Sequence, residues 1–466
     1  VHVVVVGAGI AGLAAAHELR RRSPAVRVTV VDAAAQVGGK LRATEVGGLV
    51  VDEGAEMFLV RVPEAVDLVG EVGLAGQLVH PLVTTAGVVV AGQRRPLPTG
   101  TVLGVPAYAE PVRALLGEQA AQAVAAEPGL PGPPLAGDVA VGAYVARRLG
   151  RVFVDRLVDP LLGGVYAGHA DRLSLQATVP ALFAALRRTG SVVEAARSVQ
   201  GGQAAGSAGG SAGPVFGTLR GGLGGLPAAV LAGSGVRLRL GLPVREVQRT
   251  AAGFRLVAGP VPDPTYLEAD AVIVAVPANK AGPMLRGLVP AAAAELAGIE
   301  YASMAVVTLV YPAVELGPGS GLLVPAVEGR AVKALTYASQ KWAHLAVPGR
   351  RVLRASVGRA GESELLRRDD ADLVELVRAD VAALTGVGAG PLATRVTRWG
   401  GGLPQYAVGH VDRVRRIRAA VAAVPGLAVA GAAYEGVGVP ACIRTGRQAA
   451  AQVLAALAPE GESGHG

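Results

Sequence analysis

Cysteine is almost missing from this chain. Cys442 is the only one in 466 residues, so no internal disulfide can form and cysteine-rich metal sites are excluded, which suits a reducing compartment. Aromatic residues make up only 3%, too few to furnish an aromatic cage for an amine. Lysine is scarce as well. Lys40, Lys280, Lys333 and Lys341 are all there are, so the net charge of +8 rests on arginine. The arginines are scattered among acids with no dense run and no interleaved aromatics, which argues against a nucleic-acid partner. They leave a basic surface suited to anionic small molecules or lipid headgroups. No apolar run reaches membrane-spanning length. The nearest, Ala419–Tyr434, is broken by Pro425, Gly426 and Gly431 and reads as a helix end followed by a strand. No basic segment precedes the first strand, so a secretory leader is not expected.

Aliphatic residues, by contrast, are abundant. The chain is 51% hydrophobic, mostly alanine and valine. That mixture predicts an α/β protein of Val-rich buried parallel strands with Ala-rich helices packed on them. The length predicts two or three lobes.

Patterns along the chain divide it further. Residues 1–78 read strand, turn, helix, strand, then a Gly-Gly segment and a helix near Val62–Val72, and form a first dinucleotide-binding part. Residues 79–199 read as mainly helical. Residues 200–214, QGGQAAGSAGGSAGP, are low in complexity and expected to form a flexible loop. Strand patterns resume over 215–280, a second dinucleotide-binding part that ends in the buried run ADAVIVAVPA. Residues 281–396 are β-rich with one amphipathic helix, Asp370–Leu384, and suit a substrate lobe. Residues 397–458 close the dinucleotide-binding domain, and 459–466 read as a disordered tail.

The first chemical signal is the turn Gly7-Ala8-Gly9-Ile10-Ala11-Gly12, which follows four consecutive valines and opens an Ala-rich helix. Gly7 permits the tight turn, Gly9 lets backbone approach a pyrophosphate, and Gly12 allows close packing of helix on strand. Unpaired amides at the helix start then face the phosphates. Asp32 ends the next strand, twenty residues after Gly12, where a carboxylate can accept both ribose hydroxyls of an adenosine half. Downstream, Gly38-Gly39-Lys40 and Arg42 stand six to ten residues after Asp32. Adjacent glycines let the chain pass flat over an extended cofactor, and the basic residues can meet its phosphates. Gly54, Ala55, Glu56 and Met57 supply another glycine-bearing approach. A second glycine-rich turn, AGAAYEGVGVPACIRTGR, comes close to the end of the chain.

With these segments the chain resembles the flavin monoamine-oxidase-like superfamily, which pairs the first turn with a Gly-Gly-basic segment and completes the flavin site near the C terminus. The resemblance implies a Rossmann-like FAD-binding domain built from discontinuous pieces, a mixed-sheet substrate domain and a helical insertion. It places Ala432, Val437, Gly438 and Val439 along the isoalloxazine. Pro440 then falls in the first helical turn, where its missing N–H costs nothing, and the helix directs its positive end at the flavin, favouring reduction. Cys442, just inside that helix, reads as a packing residue.

Six stretches narrow the resemblance to the porphyrinogen oxidases of haem synthesis: RRPLPTG, VDPLLGGVYAGHADRLSLQATVPALF, TLRGGLGGLPAAV, ADAVIVAVPA, WGGGLPQYAVGH and AYEGVGVPACIRTGR. Together they cover essentially the whole chain. The flavin contacts carried over are Gly7–Gly12, Asp32, Lys40, Gly54–Met57, Val244 (backbone bonds to adenine), Trp399, Ala432 and Val437–Val439. Asp32 stands where relatives usually have glutamate, and GAEMFL and GHADR also depart from the common wording. The resemblance implies hydride transfer from a porphyrinogen to flavin N5, reoxidation by dioxygen with release of hydrogen peroxide, and transient contact with other haem-pathway enzymes. It favours coproporphyrinogen III, with four propionates, over protoporphyrinogen IX, with two. It also favours a cytoplasmic protein, with peripheral attachment to a membrane as the other arrangement. Arg95, ahead of PLPTG, is the candidate propionate partner. No catalytic acid or base is identified. His17, His80, His344 and His410 lack metal-ligand spacing, and Lys280 reads as a solvated lysine at a helix start. Another amine-oxidase-like enzyme or a non-catalytic flavoprotein are the rival readings.

Overall fold

The computed structural model describes residues 1–205 and 213–458. Its centre is a five-stranded parallel sheet, in the order Arg237–Arg239, Arg27–Val31, His2–Val6, Ala271–Val274, Leu427–Val429. The strands come from three stretches of the chain, 2–31, 237–274 and 427–429, each more than 150 residues from the next, so the domain is discontinuous. The four valines of the first strand explain its place in the middle. Val3 and Val5 face one core and Val4 and Val6 face the other, all buried, as a parallel strand covered on both faces requires. The first helix (Ile10–Arg22) and the last helix (Val439–Leu457) share one of those cores. They cross at very short range. A Cβ added to Gly446 would lie 2.2 Å from the Ala11 carbonyl oxygen.

A seven-stranded sheet forms the second lobe, in the order Ala393–Pro404, Tyr301–Pro312, Arg350–Val357, Val332–Tyr337, Gly321–Leu323, Gly87–Val90, Gln93–Pro96. Its pairs are antiparallel except Gly321–Leu323 with Gly87–Val90. The amphipathic helix Asp370–Thr385 covers one face through Leu373, Val377 and Val381. The Asp369 side chain caps it by accepting from Asp372 N–H at 2.8 Å. Part of the opposite face meets the helical region.

That helical region runs from Glu110 to Ala205 and packs around Phe153, Leu157, Leu162 and Leu182. A π-helical turn, Val154–Val158, leads into the helix Asp159–Tyr166. Two differences from the sequence reading stand out. Residues 79–106 are short strands and turns rather than helices, because Gly87–Val90 pairs with a strand some 230 residues later, a partner that no local pattern reveals. The supposed loop also begins later than residue 200. The helix Val192–Ala205 continues into it, started by the buried Glu127 carboxylate, which accepts from Val192 N–H at 2.9 Å and Val193 N–H at 3.2 Å. Residues 206–212 of that stretch, and the tail 459–466, lie outside the described residues.

Candidate functional site

The first glycine turn joins the strand His2–Val6 to the first helix. Gly7 adopts φ +114° and its N–H donates to the Val31 carbonyl at 2.7 Å. A Cβ there would lie 2.6 Å from the Ala275 carbonyl oxygen, and one on Gly12 would lie 1.9 Å from the Gly7 carbonyl oxygen. Both glycines are therefore required by the protein's own packing. Gly9 differs: its φ of −74° suits any residue, and a Cβ would meet nothing within 4 Å. It opens onto space beside the first helical amides, which carry neither a capping side chain nor an acid in the first turn.

Asp32 follows the second strand and braces this turn. Its carboxylate accepts from Ala8 N–H at 2.6 Å and Ala34 N–H at 2.7 Å. Its carbonyl accepts from Leu242 N–H at 2.9 Å, which brings the start of the strand Val244–Thr250, and so Val244, to the same end of the sheet. The Gly-Gly segment lies flat on the turn. Gly38 N–H donates to the Ala8 carbonyl at 2.8 Å, and a Cβ on Gly39 would stand 3.3 Å from Gly9 Cα. Lys40 comes next. Its ammonium is pulled below the usual lysine range by burial.

The second turn closes the opposite side. It leaves the strand Leu427–Val429 at Ala430, whose N–H donates to the Val274 carbonyl of the neighbouring strand at 3.0 Å. Gly431 N–H donates to Thr445 Oγ1 at 3.0 Å. Tyr406 then clamps the loop. Its hydroxyl donates to the Ala432 carbonyl at 2.6 Å and accepts from Gly436 N–H at 2.8 Å. Val437 follows, and Gly438 N-caps the last helix, with Val439 and Pro440 in its first turn and again no capping side chain and no acid. Cys442 is buried, and burial pushes its thiol up to about 11, which makes it a packing residue rather than a thiolate.

Two of the residues singled out in the sequence sit between the lobes. Trp399 donates from Nε1 to the Glu53 carbonyl at 3.1 Å, and the Arg42 guanidinium lies over its ring at 5.1 Å. Arg42 is also ion-paired with the buried Glu53 carboxylate, so its charge is directed at that pair and at Trp399. Gly54 is packed tightly here, since a Cβ would lie 2.2 Å from the Lys40 carbonyl oxygen, which also accepts from Ala55 N–H at 3.1 Å. Glu56 turns toward the seven-stranded sheet, where it pairs with Lys341 at 2.5 Å and with Arg354. The two cations hold it down at about 2 against the opposing effect of burial. Met57 Sδ lies 3.2 Å from Lys341 Nζ. Asp52, close by, is raised to about 6 by burial.

The remaining candidates lie apart. Arg95 is exposed on the outermost strand of the seven-stranded sheet, with its guanidinium donating to Gln93 at 2.8 Å. Lys280 is exposed near the start of the helix Ala278–Leu285. His410 is buried and stacks on Tyr406 at 3.9 Å, and burial pulls it down to about 4. Among the described residues, no three His, Cys, Asp or Glu side chains are placed to hold a metal ion. Sequence reasoning missed Tyr406, Lys341 and Arg354. Tyr406 stands in WGGGLPQYAVGH, a stretch already singled out, but nothing local marks its hydroxyl as a clamp.

These features fit an elongated, anionic dinucleotide. Two helix starts carry no capping side chain and no acid, a glycine with open space lies beside one of them, and the half-buried Lys40, without a carboxylate partner among the described residues, follows the Gly-Gly segment laid on that turn. Comparison with known proteins agrees with that geometry. The family described as flavin containing amine oxidoreductase matches residues 10–454. A coproporphyrinogen III oxidase of Mycobacterium bovis is 37% identical over 461 residues, covering 97% of each chain. One from Bacillus subtilis is 31% identical over 471 residues, covering 98% of each. A crystal structure from Exiguobacterium, of a protein assigned as a protoporphyrinogen oxidase, superposes with a TM-score of 0.85 at 32% identity, covering 97% of this chain and 98% of that one. The chain therefore belongs to the flavin-containing amine oxidoreductase family, whose cofactor is a flavin, and within it groups with the porphyrinogen oxidases.

Proposed function

We propose that this protein is an FAD-dependent oxidase that converts coproporphyrinogen III to coproporphyrin III with dioxygen as electron acceptor. The observation that carries the reading is the end-to-end similarity to relatives named coproporphyrinogen III oxidase, at 37% identity over 97% of both chains. The site geometry supports it. The turn Gly7–Gly12, with Gly39 and Lys40 above it, holds the pyrophosphate through the amides at its helical end, those of Gly7 and Ala8 being bonded to Val31 and Asp32, and Asp32 and Val244 hold the adenosine half. Trp399, Ala432, Val437, Gly438 and Val439 border the ring system, and the positive end of the last helix faces it. Gly54 and Ala55 keep the Lys40 segment in place. Arg42 orients Trp399, and Glu56, with Met57, ties the flavin side to the substrate sheet.

In this reading 1–78, 215–280 and 397–458 bind FAD, while 281–396 and the region 79–199 enclose the substrate. When bound, the flavin supplies a hydride acceptor that dioxygen regenerates, with release of hydrogen peroxide. The chain's own part is to place the substrate and exclude water, and Arg95 at the sheet's outer edge meets an anionic propionate at the rim. Among the described residues no helix is long and apolar enough to cross a membrane. A cytoplasmic protein in transient contact with other haem-pathway enzymes is the accompanying proposal.

The resemblance to the Exiguobacterium structure favours a second reading, protoporphyrinogen IX as substrate. Aerobic turnover of both porphyrinogens side by side, followed by porphyrin fluorescence above the non-enzymatic rate, decides between them. Faster oxidation of coproporphyrinogen III with peroxide formed supports the first reading, and preference for protoporphyrinogen IX supports the second. A flavin-loaded protein that oxidises neither sinks both.

A further inference from the structure

The short segment that carries Tyr406, between the strand Ala393–Pro404 and the helix His410–Ala422, is fastened on two sides. On one side it meets the helical region. Gln405 Nε2 donates to the Tyr166 carbonyl at 2.7 Å, Ser174 N–H donates to the Tyr406 carbonyl at 2.7 Å, and Leu173 and Ala407 form an isolated antiparallel bridge. Gly409 N–H donates to the Asp138 carboxylate at 2.8 Å. The same carboxylate accepts from the Ser174 hydroxyl at 2.6 Å and from Gln176 N–H at 3.0 Å, so one side chain of the helical region gathers both elements. On the other side, the Tyr406 hydroxyl holds Ala432 and Gly436 of the second turn.

His410 backs this clamp. Its ring is stacked on that of Tyr406, with 3.9 Å between centroids and 15° between planes, and Tyr166 lies 5.5 Å from Tyr406 at a tilt of 50°. His410 is only 2% exposed, and neither ring nitrogen makes a hydrogen bond among the described residues. The Ala433 carbonyl of the second turn is near enough to favour a proton on the ring, but burial outweighs it and keeps the imidazole neutral. A buried ring whose polar edges go unpaired costs stability. What this ring contributes is its face. Packed flat on the phenol, it leaves Tyr406 no room to tilt away from Ala432 and Gly436.

We infer that His410 and Asp138 are positioning residues for the flavin, acting through Tyr406: they hold the second turn in register with the helical region. The inference rests on the placement of that turn beside the flavin, proposed above. The test compares H410A, H410F and D138A with wild type and Y406F. Each is loaded with FAD, and the visible flavin spectrum, the flavin midpoint potential and the FAD affinity are read. V377A, a change in the separate core under the helix Asp370–Thr385, is the control for lost stability alone. H410A should weaken FAD binding about 3- to 10-fold, the span of an aromatic pair, and shift both spectrum and potential. H410F keeps the flat face and should restore all three. D138A, altered only within the helical region, should move spectrum and potential in the same direction as H410A. V377A should lower Tm and move neither. Wild-type spectrum, potential and affinity in H410A or in D138A overturn the role of that residue. An H410F protein that behaves like H410A overturns the stacking, and a V377A protein with the same flavin shifts overturns the whole inference. If Y406F shifts the flavin and the other variants do not, the inference alone falls; if Y406F is silent as well, the placement of the turn falls with it.

Discussion

Gly9 and Gly12 belong to one turn, yet replacing each by alanine should have opposite consequences. At Gly9 the backbone is extended, with φ −74° and ψ 172°, and the new methyl meets nothing within 4 Å. The flavin-stripped G9A protein should therefore be as stable as wild type, or gain about 0.4–1 kcal/mol from the stiffer unfolded chain. The methyl does occupy the space beside the free amides of the first helix. If a pyrophosphate lies there, two charge-assisted bonds lengthen, and at about 1.5–3 kcal/mol each this predicts roughly 100-fold weaker FAD binding or more. At Gly12 the methyl would stand 1.9 Å from the Gly7 carbonyl oxygen, about 1.5 Å inside contact distance. The helix must move off its strand, at a cost of about 1–3 kcal/mol or more. FAD titration by flavin fluorescence and urea unfolding of flavin-stripped protein separate the two effects. A G9A protein that binds FAD within about threefold of wild type would refute the placement of the pyrophosphate, and one destabilised as much as G12A would refute the open space.

Three further predictions concern the second turn and the ion cluster between the lobes. Y406F removes the hydroxyl that holds Ala432 and Gly436, and the orphaned Gly436 N–H should cost about 1–3 kcal/mol. Tm should fall, and the bound flavin spectrum should shift as the turn loosens. E56Q leaves Lys341 and Arg354 without their shared carboxylate, so urea unfolding should show a loss of about 3–5 kcal/mol, and an unchanged midpoint would show that the cluster contributes nothing. The pH dependence of stability follows from the two acids. Glu56 is depressed to about 2, so its contribution is complete above the ordinary carboxylate range and is lost as pH falls toward 2. Asp52 is raised to about 6, so the folded state holds an extra proton below that value, and stability falls by about 3 kcal/mol as pH rises from near 4 through 6. Urea midpoints measured from pH 3 to 8 should therefore show a maximum near the ordinary carboxylate pKa of about 4, and a curve rising steadily to neutral pH would contradict the burial of Asp52.

The sequence by itself determined the parts of the site whose causes are local. Four valines before Gly7-Ala8-Gly9-Ile10-Ala11-Gly12 specify a buried strand, a tight turn and a helix start, because the sterics lie within a dozen residues. Asp32, the Gly-Gly segment and the late turn at Gly436–Pro440 are legible for the same reason, and so is the α/β class. Tertiary structure decided what those parts do together. The first and last helices share one core only because Gly446 lets the last helix press against Ala11 across more than four hundred residues of sequence. Gly87–Val90 became a strand only because Gly321–Leu323 offered it an edge. The resemblance implies Glu56 as a flavin contact, and only the fold shows that its carboxylate pairs with Lys341 and Arg354 from the other lobe. Backbone geometry is written in neighbouring residues. Charge pairing and desolvation depend on which distant segments arrive, and only the folded chain settles that.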